Sequence, residues 1–173
     1  LSKFTVDGQN SWYIDVDGVI YSKDKKQLVR CPNARDGIFT IPDYVEAIST
    51  SAFQYCKISE VKIPNSVKKI NNNAFFNCNG LTSIYIPASV QELAGDALSA
   101  CYSLETITVD QDNQYYVSED NVLFDKNKTI LYLYPINKGG EYTIPNTVTE
   151  LGVAFDSNKY TTSITIPKSV VKM

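Results

Sequence analysis

The sequence predicts a repeat solenoid, in which short strands stack into a parallel β-ladder. Three observations support this: an Ile-Pro pair recurs, its copies lie 22 or 23 residues apart over residues 41–86 and again over residues 144–166, and a strand-like run with alternating apolar residues precedes each pair. A fixed period in this range is typical of coils that bury their apolar edges only against their neighbours. The pairs are Ile41-Pro42, Ile63-Pro64, Ile86-Pro87, Ile144-Pro145 and Ile166-Pro167.

The coil around Leu81–Pro87 shows how each strand is specified. Its alternation predicts that Ile84 and Ile86 point inward, while Ser83 and Tyr85 point outward. The proline that follows ends the strand because it has no amide hydrogen to donate to a ladder. The same arrangement in each coil predicts inner columns of apolar side chains.

The second half of each coil is expected to hold a shorter strand and a turn. Val90 and Leu93 form a second buried, extended piece, and Gly95 begins a turn into a brief helical segment over Ala97–Cys101. The position of Leu98 in this segment is taken by Phe53, Phe75 and Phe155 in other coils.

A longer period lies over the first, because residues 1–48 match residues 104–151 at a constant offset of 103. In each copy two strand-like runs flank a polar turn, at Ser22–Lys26 and at Asp125–Lys128, which predicts a β-hairpin in place of the helical segment. We therefore expect one solenoid over residues 1–173 with hairpin coils at about 8–37 and 111–140. Neither end supplies a polar cap, so we also expect either a segment of a longer protein or ends that something else covers.

Composition excludes several classes of function. A net charge of -3 and a pI near 5.0 provide no basic field for nucleic acid, and no apolar run is long enough to insert into a membrane. The chain has no histidine, which removes the usual general base and the commonest metal ligand. We predict that the protein is not an enzyme, uses no cofactor and holds no metal.

The regular coil carries a recognisable motif. Residues 63–70 read I-P-N-S-V-K-K-I, residues 74–78 read A-F-F-N-C, and Leu81 follows. This pattern resembles the BspA-type leucine-rich repeat family of bacterial and protozoan surface proteins. The resemblance implies a leucine-rich-repeat-like solenoid, secreted or surface-displayed, that binds host matrix proteins or other cells. The motif is structural, so the resemblance identifies no binding residues in this chain. The chain departs from the motif at Asp110, at Val153–Lys159 and in the hairpins.

Three cysteines share one phase of the repeat, because Cys56, Cys78 and Cys101 each lie 15 residues after the preceding Ile of the Ile-Pro position. Equal phase stacks them inside the solenoid, where they could form a disulfide, a metal site or a column of free thiols. Parallel Cβ vectors disfavour a disulfide, and the absence of a C-x-x-C pair disfavours zinc. We predict buried, free thiols, with Cys31 as an unrelated strand residue.

Two adjacent outward columns of the ladder supply the main candidate binding residues. An exposed aromatic beside charges is a plausible contact for a protein or a sugar, whereas threonine also suits an exposed strand without any ligand. The candidates are Glu60, Lys62, Ser83, Tyr85, Thr106 and Thr108.

The hairpins supply two further aromatic candidates, Trp12 and Tyr132, which could stack on sugar rings or only pack the hairpins onto the solenoid.

In the first hairpin region, Asp15-Val16-Asp17-Gly18 looks like the opening of a calcium loop. The bidentate Glu that completes an EF-hand is missing, so a solvated acidic turn is the favoured interpretation.

The leading hypothesis is a non-enzymatic adhesin segment, extracellular or at the cell surface, that recognises a protein through its exposed sheet face. A glycan-binding module that uses the hairpin aromatics is the first alternative. A structural spacer that displays another domain is the second. The sequence leaves the oligomeric state open.

Overall fold

The computed structural model describes residues 1–155, 158 and 160–173. Within these residues the chain forms a β-solenoid of sixteen short strands without a helix. The stretch Val153–Lys159, where the repeat pattern breaks, includes Asp156, Ser157 and Lys159, which lie outside the described residues. In chain order the strands are β1 (Tyr13–Val16), β2 (Val19–Ser22), β3 (Gln27–Arg30), β4 (Asp36–Thr40), β5 (Ala47–Ile48), β6 (Lys57–Lys62), β7 (Lys69–Ile70), β8 (Ser83–Ile86), β9 (Glu92–Leu93), β10 (Thr106–Val109), β11 (Tyr116–Glu119), β12 (Val122–Asp125), β13 (Ile130–Leu133), β14 (Gly140–Thr143), β15 (Glu150–Leu151) and β16 (Thr161–Thr165).

The longer strands form one side of the solenoid. They pair in parallel as β4 with β6, β8 with β10, and β14 with β16. Equivalent positions stand opposite each other, for example Ile84 opposite Ile107 and Tyr85 opposite Thr108. This register confirms the predicted parallel stacking.

The shorter strands form a second parallel ladder along another side. Strands β3, β5, β7 and β9 follow one another in register, with Leu28, Ile48, Ile70 and Leu93 in one buried column. Strands β13 and β15 repeat the arrangement further along the chain. The Ile-Pro isoleucines Ile41, Ile63 and Ile86 are likewise buried in a single core cluster.

The predicted helical segments are wrong: the structure has consecutive turns there. At residues 51–56 amide groups alternate in direction, so Phe53 N–H donates to Ala74 O in the next coil at 2.7 Å while Cys56 N–H donates to Phe53 O at 2.9 Å. A helix would keep these bonds within one segment. Positive φ angles at Ser51 and Tyr55 also interrupt helical geometry.

The two predicted hairpin regions each form a three-stranded antiparallel meander, β1-β2-β3 and β11-β12-β13. The polar turns Ser22–Lys26 and Asp125–Lys128 connect the second and third strands of the meanders. Asp17 and Gly18 connect β1 to β2, and both have positive φ, as a tight two-residue hairpin requires. These residues therefore build a turn, and within the described residues no acidic group of three or more could hold a metal.

The core divides at the second meander. A large cluster runs from Val19 to Ile107 and includes Tyr116, Leu123 and Leu133, whereas a smaller one contains Val122, Phe124 and the coils beyond.

Among the described residues no helix is long and apolar enough to span a membrane.

Candidate binding face

A shallow groove opens on the face of the longer strands between β6 and β8. These strands lie side by side but are not joined as a paired sheet, and near their start Thr82 N–H donates to Ser59 O at 3.4 Å. The groove has a volume of about 200 Å³. It is lined by Glu60, Val61, Lys62, Ile63, Ser83 and Tyr85.

Four of the six outward-column candidates thus come together in one place, and the other two stand on the next strand. Thr106 lies opposite Ser83 and Thr108 lies opposite Tyr85 in the β8–β10 pair. The column predicted from the alternation of the sequence is therefore present as a continuous outer surface.

Tyr85 is held in place by a residue of the following coil. Its ring is 47% exposed, and its hydroxyl donates a hydrogen bond to Oδ2 of Asp110. This bond raises the pKa of the Tyr85 hydroxyl, with smaller contributions from partial desolvation and the negative charge. It also lowers the pKa of Asp110, which accepts a second hydrogen bond from Asp112 N–H at 2.9 Å.

Sequence reasoning missed Asp110 as a partner of the candidate site. The signal was present, because Asp110 stands where proline follows the apolar residue in the regular coils. A carboxylate at that position lies one coil beyond Tyr85 and within reach of its hydroxyl.

The charged residues of the groove are available to a partner. Lys62 is exposed and Glu60 is partly exposed, and neither forms an ion pair among the described residues. Elsewhere exposed charges on neighbouring coils do pair, as Lys69 does with Glu92 at 2.5 Å. The groove therefore combines an aromatic ring with one cationic and one anionic side chain, neither of which forms an ion pair among the described residues.

The two hairpin candidates lie apart, on different meanders. The Trp12 side chain is 77% exposed next to β1. Tyr132 is half-buried in β13, where its ring contacts that of Tyr116 edge-on with centroids 5.7 Å apart. The two residues therefore do not form one aromatic shelf, and only Trp12 presents a free ring face.

The cysteines form a buried column of free thiols. Sγ of Cys78 donates to Phe53 O at 3.0 Å, and Sγ of Cys101 donates to Phe75 O at 3.0 Å. Burial raises the pKa of the Cys101 thiol to about 12 and raises that of Cys78 as well.

Cys31 joins this column, contrary to the expectation that it is unrelated. It is fully buried, and Sγ of Cys56 donates to Pro32 O at 3.4 Å beside it. The hydrogen bond with Cys56 and burial both raise the pKa of the Cys31 thiol. The spacing of the repeat did not indicate this position for Cys31, because the residue follows a strand of the first meander and not a strand that ends in Ile-Pro.

A model of the BspA type leucine rich repeat region matches residues 31–130 in six copies. The chain belongs to the BspA-type leucine-rich repeat family. No curated protein matches it by sequence.

Several solved structures of bacterial proteins are similar to this BspA-type chain. A leucine rich cell surface protein from Faecalibacterium prausnitzii is 37% identical, with a TM-score of 0.72 over 79% of this chain and 37% of that one. A leucine-rich repeat protein from Eubacterium ventriosum is 30% identical, with a TM-score of 0.69 over 78% of this chain and 42% of that one.

A third similar structure is the pneumococcal vaccine antigen PcpA. It is 25% identical, with a TM-score of 0.67 over 79% of this chain and 34% of that one. The BspA-type chain thus spans well under half the length of each of these three proteins. The prediction of the family and of the solenoid fold is confirmed.

Proposed function

We propose that this BspA-type chain is a non-enzymatic binding scaffold, secreted or displayed at a cell surface, that recognises an extracellular protein. The observation that carries the proposal is the groove between β6 and β8, where the half-exposed Tyr85 ring stands beside the unpaired charges of Glu60 and Lys62. Tyrosine offers a large contact area at a low cost in side-chain entropy, and it is enriched where proteins meet.

The groove is well suited to binding because it is organised in advance. The hydrogen bond to Asp110 restrains the Tyr85 side chain, and the strands on both sides belong to a stacked ladder. A side chain already fixed in position loses less entropy when a partner binds. Repetition of the outer column along the solenoid would multiply weak contacts.

The similar solved structures support a location at the cell surface. The Faecalibacterium protein is described as a cell surface protein, and the pneumococcal protein is described as a vaccine antigen. An acidic repeat scaffold with no histidine lacks the residue that most often serves as a general base, which supports a binding role over a catalytic one.

The test is a binding assay against a panel of purified extracellular-matrix proteins, with the chain immobilised for biolayer interferometry. We expect at least one protein to bind, and we expect Tyr85→Ala combined with Lys62→Glu to weaken that binding at least tenfold. Tyr55→Ala is the matched control, because Tyr55 is 48% exposed and lies on a turn outside the groove. Equal binding by the double variant and the control would refute the proposed face.

Glycan recognition is the second candidate, and the exposure of Trp12 favours it. An indole with a free face beside a hairpin can stack on a sugar ring. A glycan-array signal abolished by Trp12→Ala but kept in the Tyr85 variant would support this function over the first. Absence of binding to both the protein panel and the array would leave the spacer role as the better account.

A further inference from the structure

The sequence contains one Asn-Gly pair, Asn79-Gly80, which lies at the tip of a tight turn between two coils. Leu81 N–H donates to Cys78 O at 3.0 Å, so Asn79 and Gly80 are the two central residues of a β-turn. The side chains of Cys78 and Leu81 are fully buried, whereas Asn79 is exposed. The core therefore anchors both ends of the turn and leaves its tip in solvent.

An asparagine that is followed by glycine can cyclise without an enzyme. The backbone nitrogen of the second residue attacks the side-chain Cγ of the asparagine, which closes a five-membered succinimide ring and releases ammonia. Glycine favours this attack because it has no Cβ to obstruct the approach and because its backbone rotates more freely than that of other residues. The Asn79-Gly80 pair therefore has the composition that this reaction needs.

The nitrogen that would attack is unoccupied in the folded chain. Among the described residues, Gly80 N–H donates no hydrogen bond. Asn77, two residues earlier, differs in this respect, because the N–H group that follows it, that of Cys78, donates to Phe75 O at 3.1 Å. Attack by the Cys78 nitrogen would break that bond inside the core. The fold therefore leaves a nucleophile available to Asn79 and withholds one from Asn77.

The side-chain amide of Asn79 is held by residues on both sides. Its Oδ1 accepts a hydrogen bond from Tyr102 N–H, in the following coil, at 3.4 Å. Its Nδ2 donates to Oδ1 of Asn77. A donor at the carbonyl oxygen stabilises the negative charge that develops there when the carbon is attacked. The following coil thus provides an interaction that favours ring closure at Asn79.

Water reaches the turn through an open surface cavity of about 500 Å³. Through this cavity the ammonia can leave and water can reach a succinimide, so both steps of the reaction need only solvent. The cavity is lined by Tyr55, Cys56, Lys57, Asn77, Asn79 and Gly80.

The inner side of the turn has no spare space. A Cβ atom at Gly80 would lie 2.7 Å from Lys57 O and 2.8 Å from Ile58 O. When water opens a succinimide at its main-chain carbonyl, the backbone afterwards runs through the former side chain and is one carbon atom longer. Such a lengthened backbone at Asn79-Gly80 would have to push against the carbonyl groups of the preceding coil.

We propose that Asn79 is a site of spontaneous deamidation that loosens the contact between two coils. The Gly80 nitrogen forms a bond to Cγ of Asn79, the Cγ–Nδ2 bond breaks, and ammonia leaves with the proton from Gly80. Water then opens the ring at the Cγ carbonyl, which gives aspartate at position 79, or at the main-chain carbonyl, which gives isoaspartate. Both products add a negative charge to the turn, and isoaspartate also lengthens the backbone at Gly80.

The proposal is independent of the binding role, because none of the residues of this turn lines the groove between β6 and β8. Binding at that groove and deamidation at Asn79 can therefore be tested separately on the same protein.

The test incubates the folded chain at pH 8 and locates modified residues by peptide mass spectrometry. We expect Asn79 to gain the mass difference between an amide and a carboxylic acid, at a rate within about tenfold of that in the synthetic peptide Phe75–Ile84, because a turn tip opens at little cost. Asn77 is the internal control and should stay unmodified. Asn79→Gln should abolish the change at this position on the same timescale, because glutamine would have to close a six-membered ring, which forms more slowly.

The structural consequence is measured on the separated products. Methyl transfer from S-adenosylmethionine by an isoaspartate methyltransferase identifies the isoaspartate fraction after chromatography. We expect this fraction to melt at a lower temperature than the unmodified chain, whereas the Asn79→Asp variant, whose backbone keeps its length, should melt close to it. If Asn79 stays unmodified in the folded chain after the peptide has converted, or if the isoaspartate fraction melts like the unmodified chain, the proposal is overturned.

Discussion

The hydroxyl of Tyr85 donates a hydrogen bond to the carboxylate of Asp110, which lies one coil further along the solenoid. The bond links the outer column of β8 to the turn after β10, and thereby ties the candidate groove to the residue that replaces proline in the repeat. Asp110, which departs from the repeat motif, thus holds the exposed Tyr85 side chain of the candidate binding face in place.

The first prediction concerns the pH dependence of this bond. The pKa of Asp110 is lowered in the folded chain, by the Tyr85 hydroxyl first and by Asp112 N–H second. Its ionised form therefore stabilises the fold above the ordinary value of 3.8, and this contribution is lost as pH falls through the folded-state pKa. We expect Asp110→Asn to lower the melting temperature slightly at pH 7 and to have no effect well below pH 3.8. A difference that is constant across pH in thermal melts would contradict this.

The second prediction compares two asparagines at equivalent positions. Asn113→Ala removes four hydrogen bonds and leaves buried carbonyl and amide groups unpaired, so it should cost about 2–4 kcal/mol of unfolding free energy. Asn10→Ala removes the two backbone caps only, and should cost about half as much. Urea unfolding monitored by circular dichroism provides both values. Equal losses would mean that the bonds to the preceding coil contribute little.

Much of this architecture could be predicted from the sequence, because the spacing of the repeated residues along the chain fixes their position in each coil. The positions of Ile41, Ile63 and Ile86 fix both the strand phase and the inner column, and burial of all three agrees with that phase. The outer column follows from the same alternation, so the sequence also groups the residues around Tyr85. In a solenoid, residues that lie one repeat period apart in the sequence are neighbours in space.

The local backbone between the strands was harder to predict. The segment Ala97–Cys101 looks helical by composition, yet the carbonyls of Ala97 and Ser99 accept hydrogen bonds from N–H groups of the preceding coil. That choice depends on the neighbouring coil, which a local pattern does not contain. Likewise, the charges around Asp17-Gly18 resemble the opening of a calcium loop, although the sequence favours a solvated acidic turn there. Positive φ at both residues is the feature that decides it.

The third prediction concerns the cysteine column. All four thiols are buried, and burial raises the pKa of Cys78 and raises that of Cys101 to about 12, whereas the hydrogen bond with Cys31 lowers the pKa of Cys56. Burial, which keeps a reagent in solvent away from every one of these thiols, therefore limits their reaction in the folded chain. We expect no cysteine of the folded chain to react rapidly with Ellman's reagent at pH 8, and four to react after unfolding in guanidinium chloride. A thiol that reacts in the folded chain as fast as free cysteine would show that the column is open to solvent.

The fourth prediction tests the inner aromatic stack. Phe75 is fully buried, and its ring lies parallel to that of Phe53 with centroids 5.1 Å apart and an angle of 11°. Phe75→Ala would leave a cavity between coils and should cost about 3–5 kcal/mol in urea unfolding. Phe76→Ala is the control, because Phe76 is only partly buried and contacts Tyr55 edge-on. The control should cost about 1 kcal/mol or less, and a similar loss for both would contradict the stacked core.

The last prediction concerns the close approach of two coils at Gly80. A Cβ atom at this position would lie 2.7 Å from Lys57 O and 2.8 Å from Ile58 O, so the backbone of the preceding coil would have to move. We expect Gly80→Ala to destabilise the chain by about 1–3 kcal/mol. Gly152→Ala is the matched control, since its Cβ would lie 3.5 Å from Leu131 O, which is an ordinary contact. Thermal and urea unfolding of both variants would decide the matter: if Gly80→Ala is as stable as Gly152→Ala, the two coils are not packed as closely as their backbones indicate.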